Sequence, residues 1–176
     1  MRLFVAIEVP SVSIREFGGH GEDSPSHITL KFLGDVPEER LKEISEALER
    51  ELSGAHGGKI VLQGLGAFPS NERPRVLWVG VAEGSQVLSD LNQRVERALT
   101  ALGFPREDRP FHPHVTLARL KDPRRQQDAR DAIAAHSNEV FGAGEMRSVL
   151  LKESRLSRSG AQHLTLLAIP LKAPPS

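Results

Sequence analysis

Cysteine is absent from the 176-residue chain. Disulfides, thiolate nucleophiles and cysteine-ligated zinc or iron–sulfur centres are thereby excluded. Net charge is absent too: 23 basic residues balance 23 acidic ones. No whole-molecule field draws such a chain to nucleic acid, so any affinity for phosphate has to come from a local patch. Long apolar runs are also missing. Those at 76–79 and 164–169 have the length of strands and not of a membrane span, and the run in residues 1–8 is too short for a secretory signal. The expectation is a cytoplasmic protein without membrane contact, monomeric by default. With 39% hydrophobic and 26% charged residues, the chain has enough apolar material for a core. Its length suits one domain, or two small lobes sharing a core.

Hydrophobic periodicity gives the order of elements. Residues 2–9 and 27–33 are rich in β-formers and read as strands. Between them, 10–26 is loop-like, with one turn of helix expected around Val12 to Phe17. Pro37 opens a helix over 37–52, in which Leu41, Ile44, Leu48 and Leu52 recur at three- and four-residue spacing. Strands follow at 59–67 and 75–82, then a second helix from Val87 to Leu102, closed by Gly103. The remainder reads as a strand over 112–120, a helix over 122–136, and strands at 145–157 and 162–171.

Two four-residue matches stand out, His27-Ile28-Thr29-Leu30 and His114-Val115-Thr116-Leu117. They lie 87 residues apart, about half the chain, and each follows a proline and precedes a helix. This spacing implies an internal duplication, so that residues 1–176 form a single bilobal domain of two α+β halves related by a pseudo-twofold axis. A third copy, His163-Leu164-Thr165-Leu166, lacks the matching flanks and reads as structural.

Side chains alternate across a strand, so His27 and Thr29 share one face and Ile28 and Leu30 the other; the same holds for His114 and Thr116 against Val115 and Leu117. Two such strands beside one cleft supply two imidazoles and two hydroxyls. That set fits displacement at a phosphodiester without metal. In-line attack needs a base on the nucleophile and an acid on the leaving oxygen, and histidine titrates in the useful range. The hydroxyls can donate hydrogen bonds to the non-bridging oxygens.

At these residues the chain resembles the two-histidine phosphoesterase superfamily, and within it the RNA 2′,3′-cyclic phosphodiesterases, also called 2′–5′ RNA ligases. The resemblance rests on 1–7 (MRLFVAI), 27–34 (HITLKFLG), 110–119 (PFHPHVTLAR) and the closing strand 164–171, in order along nearly the whole chain. It implies an α+β, bilobal, duplicated fold with two antiparallel sheets facing a central cleft and helices packed outside. It implies hydrolysis of a nucleoside or RNA 2′,3′-cyclic phosphate to the 2′-phosphate, with reversible 2′–5′ ligation of RNA ends and no cofactor. Carried over, His27 is the general acid on the departing 3′ oxygen and His114 the base that activates water. Thr29 and Thr116 hold the phosphate oxygens. Arg119 lies where the family often has a basic residue near the phosphate, although the odd step from Thr116 turns it away in a regular strand, so a bulge or strand end has to redirect it. The chain departs from the family pattern in the short 10–26 connection.

Other residues carry two readings each. Phe111 either stacks on a base or packs; Phe4 and Trp78 read as packing. His112 is a partly exposed neighbour of His114 or a contact behind it. His20 and His56 read as solvated, and His136 as the end of the third helix. Arg106, Arg109, Arg119, Lys121, Arg124, Arg125 and Arg130 outnumber the acidic residues Glu107, Asp108, Asp122 and Asp128 around the second motif, an excess that attracts a phosphate-rich ligand. Two rivals remain. One is a metallohydrolase using His27, His112, His114 and His163, against which no acidic residue stands at ligand spacing beside either motif. The other is a non-catalytic RNA- or nucleotide-binding protein on the same fold.

Overall fold

The computed structural model describes residues 1–14, 17–19 and 26–174. The first strand, β1 (Arg2–Val9), sets the plan. Its odd residues Leu3, Val5, Ile7 and Val9 enter the main core, while Phe4, Ala6 and Glu8 face the other way. β1 pairs on one side with β4 (Ser26–Asp35) and on the other with β9 (Ser148–Ser157), which pairs with β10 (Gly160–Pro170). A second sheet contains β5 (Gly58–Pro69), β6 (Pro74–Glu83), β7 (Val115–Arg119) and β8 (Val140–Met146). The strand orders are β10-β9-β1-β4 and β7-β6-β5-β8, with every pair antiparallel. The two motif-bearing strands, β4 and β7, are thus each the edge of a sheet, and they approach one another.

Helices α1 (Leu41–Leu52) and α2 (Ser85–Thr100) pack together and close the core. Ile44, Leu48 and Leu52 of α1, with Leu88, Leu91 and Leu99 of α2, are completely buried. Each contributes about 1.5–3 kcal/mol by leaving water. Helix α3 (Gln126–Ala135) covers β5 and β6. The α+β architecture of two antiparallel sheets with helices outside is therefore present. Among the described residues, no helix is long and apolar enough to cross a membrane.

Three local expectations need correction. Residues 13–14 (β2, Ser13–Ile14) pair with β3 (Gly18–Gly19) as a small hairpin, where a helical turn was expected. Burial of Val12 and Ile14, with the Val12 amide donating to Ser26 Oγ at 3.0 Å, favours the extended form. The stretch 145–157 is not one strand: β8 starts at Val140 and β9 at Ser148, with a break at Arg147. Glycine masks β8 in the sequence. A Cβ on Gly142 or Gly144 would lie 3.3 or 3.0 Å from Pro10, so this strand interior is bare because another segment crosses it closely. Finally, β7 begins at Val115 and not at His112, because Pro113 can donate no ladder hydrogen bond. His20 lies outside the described residues.

Candidate active site

A cleft of about 800 Å³ is lined by His27, Thr29, His114, Thr116 and Arg119 together. The expected set therefore converges from the two facing edge strands, with both histidines and both threonines half-buried and Arg119 exposed. Phe111 also lines the cleft while packing partly on the core.

Each motif strand contains a bulge one residue after its threonine. On β4, Thr29 faces Ala6 and Lys31 faces Val5, which leaves Leu30 as an extra residue. On β7, Thr116 faces Trp78 and Ala118 faces Leu77, which leaves Leu117 extra. The consequence is the same twice. Phe32 pairs with Phe4 and so returns to the face of Thr29; Arg119 pairs with Val76 and so shares the face of Thr116. This supplies the redirection that the odd step to Arg119 required. It also brings in a residue that strand alternation alone hides. Phe32 is 64% exposed and lines the cleft, an uncommon position for so large an apolar side chain. The carbonyl of Leu30 accepts a hydrogen bond from Asn92 Nδ2 of α2 at 3.0 Å, which ties the first bulge to the helix layer.

His114 is held by its own chain. Its Nδ1 lies 2.7 Å from the His112 carbonyl oxygen. A carbonyl only accepts, so Nδ1 carries the hydrogen and Nε2 keeps its lone pair. Burial pushes the His114 pKa below its ordinary 6.5, the His112 carbonyl opposes that shift, and the positive charges of His112 and Arg119 add to the lowering. The ring stands edge-on to Phe68 at 5.0 Å between centroids, with Trp78 at 6.1 Å. His112 packs on the same pair, at 5.4 Å from Phe68 and 4.8 Å from Trp78, and is itself exposed and part of the cleft lining. Trp78 is thus packing, as expected, and what it packs is the support of the site. Gly66 makes room for it, because a Cβ there would come within 2.3 Å of the indole.

His27 has a different setting. Glu8 is its cross-strand partner on β1, and Lys152 Nζ lies 3.5 Å from the Glu8 carboxylate. Phe4 packs against the His27 ring at 5.4 Å. The third motif copy turns out to be neither core nor cleft. His163 comes from the far edge of the same sheet, yet its exposed ring stands edge-on to His27 at 5.3 Å and to Phe4 at 5.1 Å. Curling of the sheet brings the two edges together over Phe4, and no local sequence pattern signals it.

His56 and His136 stand apart from the cleft. His56 Nδ1 lies 2.8 Å from the Ala173 carbonyl oxygen, and His136 follows the last residue of α3.

Two antiparallel sheets whose edge strands each bring a His-x-Thr to one cleft define the class. The chain belongs to the 2′-5′ RNA ligase superfamily, whose model matches residues 5–146. It is 42% identical over 148 residues to an RNA 2′,3′-cyclic phosphodiesterase of Aeropyrum pernix, covering 84% of this chain and 83% of the relative. It is 40% identical over 173 residues to an RNA 2′,3′-cyclic phosphodiesterase of Archaeoglobus fulgidus, covering 91% and 94%. Among solved structures, E. coli LigT in complex with 3′-AMP superposes with a TM-score of 0.72 at 26% identity, over 97% of both chains.

Proposed function

We propose that the protein hydrolyses the 2′,3′-cyclic phosphate of an RNA 3′ end or nucleoside to the 2′-phosphate. His114 acts as general base and His27 as general acid. The observation that carries this reading is the convergence of both His-x-Thr pairs on one cleft, with His114 Nδ1 tied to a carbonyl so that Nε2 is the free acceptor. Nε2 takes a proton from water as the water oxygen bonds to phosphorus. The phosphorus–O3′ bond breaks, and His27 delivers its proton to O3′. Glu8 places an anionic side chain beside that proton donor. Thr29, Thr116 and Arg119 hold the non-bridging oxygens, where charge builds up, and Phe32 offers a face to the base. With a 5′-hydroxyl in place of water, the same proton movements form a 2′–5′ diester. The matching bulges support reading residues 1–176 as one unit of two related halves.

Chromatography of the product from a cyclic-phosphate substrate, in the presence of EDTA, tests the reading. Exclusive 2′-phosphate is expected. Exclusive 3′-phosphate overturns the acid and base assignments, and no turnover overturns the hydrolase.

The lowered His114 pKa has a readable consequence. A base works when neutral, so the acidic limb of the rate–pH profile is expected below pH 6.5. Arg119→Gln removes a positive neighbour of His114, which moves that limb upward, and raises KM through the lost phosphate contact. A limb that stays put or moves down contradicts the placement of Arg119 beside the base.

A further inference from the structure

The cleft does not end at the two motifs. It continues along α2 past Asn92 to the 105–111 loop, where Arg106 and Arg109 line it. Both side chains are exposed, and among the described residues neither makes an ion pair or hydrogen bond. The loop that carries them is nevertheless anchored. Lys31 Nζ donates to the Pro105 carbonyl at 2.9 Å and is paired with Glu96 at 2.8 Å. Arg40 lies over the Phe104 ring at 4.7 Å and donates to the Leu102 carbonyl. Glu96 is thereby neutralised, leaving Glu107 as the acidic side chain that offsets the two guanidiniums at this end of the cleft.

A single cyclic phosphate is already provided for by two threonines and Arg119. Two further guanidiniums on a fixed loop, unspent on internal pairs, suit a second phosphate. We infer that this end of the cleft is a subsite for the phosphate on the terminal nucleoside's 5′ oxygen, so that the preferred substrate carries a phosphodiester there and is an RNA chain. The inference rests on the proposed hydrolase reading and adds the part of the substrate that fills the rest of the cleft.

The same chemistry is shared by a nucleoside bearing a 5′-phosphomonoester, so the test uses four substrates on the intact protein. They are adenosine 2′,3′-cyclic phosphate, its 5′-phosphorylated form, an adenylyl dinucleotide ending in the cyclic phosphate, and that dinucleotide with a neutral methylphosphonate linkage and an upstream 2′-O-methyl group. The expected kcat/KM for the anionic dinucleotide is about tenfold or more above that of the bare nucleoside, chiefly through KM. The neutral linkage loses that advantage. In Arg106→Gln/Arg109→Gln the ratio of dinucleotide to nucleoside falls to near one. A 5′-phosphorylated nucleoside that equals the dinucleotide keeps the subsite and overturns the preference for a chain. Equal use of nucleoside and anionic dinucleotide by the unaltered protein, or an advantage that survives the neutral linkage or the double substitution, overturns the subsite. Failure to turn over any of the four overturns the hydrolase reading itself.

Discussion

Replacing His114 by alanine is expected to lower kcat for a 2′,3′-cyclic phosphate substrate by roughly 10²–10⁴-fold, with KM changed little. The imidazole Nε2 is lost, while Thr29, Thr116 and Arg119 still line the cleft. His27→Ala removes the proton for the leaving oxygen and is expected to fall in the same range. The double variant should be much less impaired than the product of the two single losses, because an acid and a base that act in one transition state fail together. Steady-state kinetics on the three variants measures this. A His114→Ala protein with unchanged turnover takes the base role away from His114. His163→Ala is a useful companion: its ring contacts His27 but does not line the cleft, so a loss as large as that of His27→Ala would shift the acid role to the third motif copy.

The largest expected effect on stability lies at Lys31. Its side chain is 2% exposed, and its ammonium lies 2.8 Å from the Glu96 carboxylate and 2.9 Å from the Pro105 carbonyl. Removing one member of a buried pair leaves the other charged and unmatched. Lys31→Met is therefore expected to cost about 3–5 kcal/mol. For a chain of this size that lowers Tm by roughly 6–20 °C. In Lys31→Met/Glu96→Leu the stranded carboxylate is gone as well, and much of the lost stability should return. The Pro105 anchor stays broken in both variants, which separates stability from cleft geometry. Thermal unfolding of the single and double variants reads the difference. A double variant no more stable than Lys31→Met would show that the lost Pro105 anchor, not the stranded carboxylate, accounts for the cost.

The parts that follow local periodicity were open to reading from the amino acids. Helices with apolar residues three and four apart, such as Leu41 to Leu52, form where expected. So do strands whose inward residues alternate, such as Leu3, Val5 and Ile7. The paired His-x-Thr was legible because strand alternation puts both side chains on one face. What stayed hidden was set by tertiary contact. β8 carries glycines where Pro10 crosses it, so its β-propensity is low although its pairing with β5 is extensive. Lys31 falls on the same alternation as His27 and Thr29, yet the Leu30 bulge sends it inward to Glu96 and brings Phe32 out. His163 reaches His27 through the curl of a whole sheet.

The doubled insertion on β4 and β7 has a consequence for how such a site can change. From each histidine to its farther cleft partner, Phe32 or Arg119, the count is five, an odd number that a flat ribbon cannot satisfy. Straightening either bulge with Leu30 or Leu117 kept in the strand would turn that outer partner to the opposite side, with every side chain around it intact. The chemistry of the cleft is therefore fixed by parity along two short segments as much as by the identity of the groups they carry.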